Sequence, residues 1–222
     1  MLLAIDTSAG TSVAIVDRDA GILAERSVAD TMRHAEVIGG MIQECLAASG
    51  TSRGDLSGVV AGMGPGPFTG LRVGIAAART FALALGKPLV PVVSHDAIAF
   101  AHYGGRSIGA PLDAPLLVVT DARRRELYWS AYSGVDALGL PVRRGGPGLA
   151  KPDEVSTSVL DGLAFAGEGE VERLDAAEVS AGALGMFAEL SFAAGRPFAA
   201  DEPLYLRSPD VMISTGPKRV TR

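Results

Sequence analysis

Gly62-Met-Gly-Pro-Gly-Pro-Phe-Thr-Gly-Leu-Arg-Val-Gly74 joins the short apolar run 58–61 to a long apolar segment ending at Leu85. Gly62, Gly64 and Gly66 alternate with other residues, and Pro65 and Pro67 interrupt them, so the start of the stretch excludes regular structure. Proline removes amide donors and fixes φ, while glycine permits positive φ and close backbone approach. The stretch is therefore a strand-to-helix turn. Thr69 has the chemistry of an N-cap, and Gly86 followed by Pro88 supplies the stop, which predicts a helix over 70–85. Within it only Arg72, Arg79 and Thr80 are polar, too few to solvate half a helix surface, so the helix is expected to be covered on two sides.

A loop that opens a helix is a natural anion site. The two common phosphate motifs are absent. No lysine precedes Lys87, which excludes a P-loop, and Thr69 and Pro67 stand where the last glycine of a G-x-G-x-x-G pattern would fall.

Outward from the turn, residues 2–6, 12–17 and 22–28 are β-prone runs separated by hairpin-length turns and predict an antiparallel meander. A helix over 35–48 follows, with Val37, Ile38, Met41, Ile42, Cys45 and Leu46 on one stripe. Its Gly39-Gly40 pair costs helix stability, which suits close approach by another backbone. Runs 58–61 and 89–93 flank the central helix as a parallel β-α-β unit. A connecting helix over 96–103 leads to a second strand-turn-strand, 115–122 and 126–132, in which Asp121 stands as Asp6 does in the first. A strand over 163–167, a helix over 179–194 and an irregular tail with a frayed end at 216–222 complete the expectation. This divides the chain into a first lobe, 1–103, and a second, 104–222.

The chain has 222 residues, 48% hydrophobic and 20% charged, with a formal net charge of −5. That balance belongs to an ordinary soluble globule rather than a disordered chain, and it argues against a free-standing nucleic-acid binder, whose affinity rests on many phosphate contacts. One cysteine, Cys45, precludes an internal disulfide and fits a reducing cytoplasm. No basic-then-apolar leader opens the chain and no uninterrupted apolar run is long enough for a membrane span, so a cytoplasmic protein is expected.

Gly64, Pro65, Gly66, Phe68, Thr69 and Gly70, with the Leu-Arg-Val-Gly that follows, resemble the signature of the TsaB (YeaZ) family. Leu3-Ala-Ile-Asp-Thr-Ser8, Thr120-Asp-Ala-Arg123, Glu126-Leu-Tyr-Trp129 and Pro203-Leu-Tyr-Leu-Arg207 agree in order along the chain. Pro67 departs from the pattern, which more often has serine there. The resemblance implies the two-lobed actin-like ATPase fold, ribonuclease H-like, with a reduced second lobe. It also implies a non-catalytic subunit that supports a catalytic paralogue, TsaD-like, in forming N6-threonylcarbamoyladenosine in tRNA. An ATPase subunit would accompany the pair, the free chain would be a homodimer, and tRNA would be reached only indirectly. The implied partner surface is Ile38, Met41, Ile42, Cys45 and Leu46 with Leu71, Gly74, Ile75 and Ala78. The superfamily holds ATP or ADP and magnesium in its cleft, which points to Asp6, Thr7 and Asp121, at a degraded or shared site because Ser8 replaces the glycine of the D-x-G-x-T turn.

A small ATPase or sugar-kinase-like enzyme using Asp6 and Asp121 is the competing expectation. The i, i+4 histidine pair of the catalytic paralogue is broken, because four residues after His34 stands Ile38, and no protease-like nucleophile constellation replaces it. Arg123-Arg124-Arg125 is the one basic cluster, ordinarily a solvated loop, but beside Asp121 it would suit tRNA phosphates or an acidic partner face.

Overall fold

A computed structural model describes residues 1–30, 33–107, 111, 113–155 and 171–207; the expected strand over 163–167 and the tail at 216–222 lie outside them. β1 (Leu2–Asp6), β2 (Thr11–Asp17) and β3 (Gly21–Val28) form the antiparallel meander, followed by α1 (His34–Ser49). β4 (Gly58–Gly62), α2 (Phe68–Leu85) and β5 (Leu89–Val92) make the β-α-β unit, and α3 (Ser94–Gly104) leads out of it. The first sheet has the order β3-β2-β1-β4-β5, with β4 parallel to both β1 and β5.

The second half repeats that plan. β6 (Leu116–Asp121), β7 (Leu127–Val135) and β8 (Pro141–Ala150) form a meander, the one-turn α4 (Pro152–Glu154) follows, and β9 (Glu172–Asp175) pairs parallel to β6. α5 (Ala181–Ala193) closes the set. The order β8-β7-β6-β9 matches β3-β2-β1-β4, so Asp121 ends its strand as Asp6 ends the other. This is the mixed α/β, two-sheet architecture expected of the fold class.

Alternation along β1 and β2 sorts the core. Leu3, Ile5, Val13 and Ile15 point to α1 and α2, while Leu2, Ala4, Ala14 and Val16 join a cluster containing α3, α5 and Leu116, Val118 and Tyr132 of the second sheet. α5 comes from the half of the chain expected to form the second lobe, yet it lies on the first sheet, with Gly185 against Val16. α3 and α5 thus share one core with both sheets.

Three expectations change. α2 starts a residue before Thr69, with Pro67 in the N-cap position and no side-chain cap, because Pro67 already holds the extended backbone that starts a helix. α2 is covered on one side only: Leu71, Ile75, Ala78 and Ala82 are buried, while Arg72, Ala76, Arg79, Thr80, Leu83 and Ala84 are exposed. By length and composition it would pass for a membrane span, but that buried stripe packs on the sheet. Finally, β8 and β9 form where sequence pattern predicted nothing. β8 is glycine-rich because the Trp129 ring lies against Gly148, where an added Cβ would come within 2.5 Å of it.

Candidate functional site

The first strand delivers Asp6, Thr7 and Ser8 to the point where the glycine-rich turn crosses it. Thr7 donates from Oγ1 to the Gly70 carbonyl at 2.7 Å and accepts from the Gly74 amide at 3.1 Å, tying β1 to the first turns of α2. A Cβ on Gly74 would fall 2.1 Å from that hydroxyl, and one on Gly62 would fall 1.8 Å from Asp6 Oδ2. Gly66 meets Ser8 in the same way. The glycines are therefore spaced to let the turn and helix lie directly on the β1 turn.

Asp6 is buried, and both its oxygens are engaged. Oδ1 accepts from the Ser8 amide at 2.8 Å and the Ser8 hydroxyl at 2.6 Å, and Oδ2 accepts from Ser94 Oγ at 2.5 Å. Burial pushes the carboxyl pKa up, against the pull of those donors. Ser94 also accepts from the Gly64 amide at 3.1 Å, so one buried cluster joins β1, the turn and α3. Sequence reasoning passed over Ser94; its only signal was a hydroxyl directly after an apolar strand.

Next to this cluster lies a cleft of about 370 Å³ lined by Thr7, Ser8, His34, Pro67, Thr69, Gly70 and, from across the gap, Arg123. His34 is buried, with Nδ1 2.7 Å from Thr11 Oγ1. Asp6 does not line the cleft. Asp121 is exposed and its Oδ1 accepts from the Arg123 amide at 2.8 Å, so it serves as a turn former. Neither Asp6 nor Asp121, the aspartates expected around a nucleotide and magnesium, lines this cleft. Among the described residues no group of three or more His, Cys, Asp or Glu converges. Thr7 alone of the three borders the cleft, its hydroxyl donating to the Gly70 carbonyl and accepting from the Gly74 amide.

Arg123, Arg124 and Arg125 have φ of 64°, 54° and 62°, three successive left-handed residues bearing side chains. The hairpin is closed by Ala122 N to Glu126 O at 3.0 Å and Glu126 N to Arg123 O at 3.1 Å. Arg207 braces it, donating to the Ala122 carbonyl at 2.9 Å and pairing with Glu126.

The expected partner residues lie elsewhere than foreseen. Ile38, Met41, Ile42, Cys45, Leu71, Gly74, Ile75 and Ala78 are all in the chain's own interior, and Leu46 is half-buried against it. The apolar stripe that periodicity detects is the one the chain buries on its own sheet. The outward faces carry Gly39, Gly40, Ala47 and Ala48 among Glu36, Gln43 and Glu44 on α1, and Ala76, Thr80, Leu83 and Ala84 among Arg72 and Arg79 on α2. Leu83 is 83% exposed. An open groove of about 770 Å³ runs along α1, lined by Gly39, Ile42, Gln43, Leu46 and Ala47, by residues 50–53 after the helix, and by Phe81 of α2.

Set beside known proteins, residues 19–170 match the family model described as TsaD, tRNA N6-adenosine threonylcarbamoyltransferase. An uncharacterized protein of Mycobacterium tuberculosis is 40% identical over 217 residues, covering 94% of this chain and 92% of its own. The tRNA threonylcarbamoyladenosine biosynthesis protein TsaB of Escherichia coli is 34% identical over 131 residues, or 59% of this chain and 54% of TsaB. Two solved structures share the fold: YeaZ from Pseudomonas aeruginosa at TM-score 0.70, with 24% identity over 92% of this chain and 99% of that one. The other, an uncharacterized Pseudomonas aeruginosa protein similar to peptidase YeaZ, has TM-score 0.73, with 23% identity over 93% of this chain and 99% of that one. The chain belongs to the family of that model, tRNA N6-adenosine threonylcarbamoyltransferase, and within it is similar to TsaB and YeaZ.

Proposed function

We propose that this chain is the non-catalytic partner subunit of a tRNA threonylcarbamoyltransferase, holding a TsaD-like paralogue in working form. The observation that carries the reading is the outward surface of α1 and α2. Two adjacent helices present Gly39, Gly40, Ala47 and Ala48 on α1 and Ala76, Ala84 and the almost fully exposed Leu83 on α2, small and apolar residues set among the charges of Glu36, Glu44, Arg72 and Arg79. Small residues let a second pair of helices approach closely, giving a four-helix contact. A paralogue with the same helix pair has the complementary shape, and a second copy of this chain would compete for the same patch.

The closed state of Asp6 supports the non-catalytic assignment. Its carboxylate links Ser8 to Ser94 and serves the fold. Nucleotide and magnesium enter no step of this reading.

The test is co-purification with the TsaD-like protein and reconstitution of threonylcarbamoyl transfer to tRNA. Leu83→Asp combined with Ala76→Glu is expected to weaken association at least tenfold, and with it the transfer reaction, while circular dichroism stays unchanged. A folded double variant that still binds and supports the paralogue would refute this surface. Transfer that proceeds equally well without the chain would refute the function.

A further inference from the structure

The chain carries an aromatic and cationic platform beside the Arg123–Arg125 loop that its proposed supporting role does not use. Phe68, in the first turn of α2, stacks on Tyr205 with ring centroids 4.8 Å apart and planes tilted by 49°. The Arg72 guanidinium lies over the other part of the Phe68 ring, 5.1 Å from its centroid. Tyr205 is 37% exposed. It is held in place by the backbone around it: the Leu204 amide donates to the Met63 carbonyl at 2.8 Å, and Arg207 is bound to Ala122 and Glu126. The same Arg207 contact sets the platform next to the arginine hairpin, whose Arg123 faces Pro67 and Thr69 across the cleft.

Charge is distributed unevenly here. The chain carries a net −5, yet this corner gathers Arg72 and Arg123–Arg125, all exposed. Two neighbouring carboxylates are paired elsewhere, Glu126 with Arg207 and Asp201 with Arg79 at 2.7 Å, while Asp121 accepts from the Arg123 amide and Glu202 is exposed. Arg72 and Arg125 have no carboxylate partner among the described residues. The remaining feature is the exposed Tyr205 ring, since the half-buried Phe68 ring already has Tyr205 and Arg72 against it. An acidic peptide would use the guanidinium groups and leave that ring idle, whereas an unpaired nucleotide uses both, a base on Tyr205 and its phosphates on the arginines.

We propose that Phe68, Arg72 and Tyr205, with the Arg123–Arg125 hairpin, form a contact site for an unpaired segment of RNA. The inference rests on the tRNA-linked reading above and departs from the expectation that tRNA is reached only indirectly. The acidic remainder of the chain makes the contact local, so it adds to a grip supplied by the partner and does not replace it. The arrangement suits a loop, because stacking needs bases already out of a duplex.

Fluorescence anisotropy with the full chain tests this, using a labelled RNA hairpin with an unpaired loop, a fully paired RNA of the same length, and a glutamate peptide as competitor. The hairpin is expected to bind more tightly than the duplex. Tyr205→Ala should weaken hairpin binding about fivefold or more, in keeping with stacking on one aromatic. Arg72→Glu and Arg125→Glu should each weaken it about tenfold and flatten its salt dependence. Arg18→Glu makes the same charge change on the turn after β2 and should leave binding within about twofold. Equal losses for Arg18→Glu, no effect of Tyr205→Ala in a folded protein, or a glutamate peptide that displaces the hairpin as effectively as RNA would each overturn the site. A chain that supports its paralogue but binds no hairpin, alone or in the complex, refutes this inference and leaves the proposed function standing.

Discussion

Two hydroxyls hold His95 in the interior as the neutral imidazole. Its Nδ1 lies 2.9 Å from Ser130 Oγ and its Nε2 2.9 Å from Thr120 Oγ1, fastening α3 to β6 and β7. Burial, helped by the Arg143 charge, lowers its pKa from 6.5 to about 3. Because the folded pKa lies below the unfolded value, this contribution to stability is complete above pH 6.5 and is lost as pH falls toward 3. Asp6 and Asp96 have raised pKa values and act with the opposite sign, so only a difference measurement isolates the histidine. We predict that the stability advantage of the wild type over His95→Gln shrinks by about 2 kcal/mol between pH 7 and pH 5, at about 1.4 kcal/mol per pH unit below 6.5. Urea unfolding at the two pH values checks it, and parallel profiles would contradict it.

Among the elements, α5 shows how tertiary contacts complete what local sequence leaves open. It has almost no polar stripe, so amphipathicity does not orient it, and its N-terminus is fixed by the first sheet. Glu25 Oε1 accepts from Ser180 Oγ at 2.9 Å, the Gly182 amide at 3.0 Å and Ser12 Oγ at 3.2 Å, while Ser12 Oγ accepts from the Ala181 amide at 3.0 Å. A carboxylate from β3 thus caps a helix some 155 residues later in the chain. Glu25→Ala is expected to cost about 1–3 kcal/mol, because it leaves the Gly182 amide of the first turn without its acceptor. The loss should appear first as faster hydrogen exchange in α5, with α1 and α2 keeping their protection. Unchanged exchange in α5 would show that Glu25 does not anchor it.

On the scale of the whole molecule, the two sheets depend on each other through α3 and α5. The face of the first sheet bearing Leu2, Ala4, Ala14, Val16 and Val60 shares its core with α3 and with α5 and the second sheet, and the last two follow the expected lobe boundary at 103. A fragment of residues 1–103 would strip α5 and the second sheet from that face while keeping α1 and α2 on the other. We predict that this fragment fails to unfold cooperatively and binds ANS, the behaviour of a chain with secondary structure but no fixed packing. A fragment with a sharp denaturant transition and a dispersed NMR spectrum would make the first lobe an independent unit. The same layering separates two surfaces, since the inner faces of α1 and α2 serve the fold and only their outer faces are open to a partner.

Period and punctuation settled much of this in advance. The alternation in β1 and β2, the stop at Gly86 and the repeated strand ending in aspartate are local patterns, and each leaves its mark in a few adjacent residues. β8 left none, because Arg143-Arg144-Gly145-Gly146-Pro147-Gly148 has little strand propensity and is held by pairing with β7 and by the Trp129 ring. The site follows the same division. The sequence by itself determined that a glycine turn must set a helix tightly against β1, because only glycine tolerates the approach. Tertiary structure alone decided that Asp6 is closed off by Ser94, 88 residues away, and that Ile42 faces inward while Leu83 faces out. An apolar residue declares that it will be buried, but which surface covers it depends on how distant elements stack.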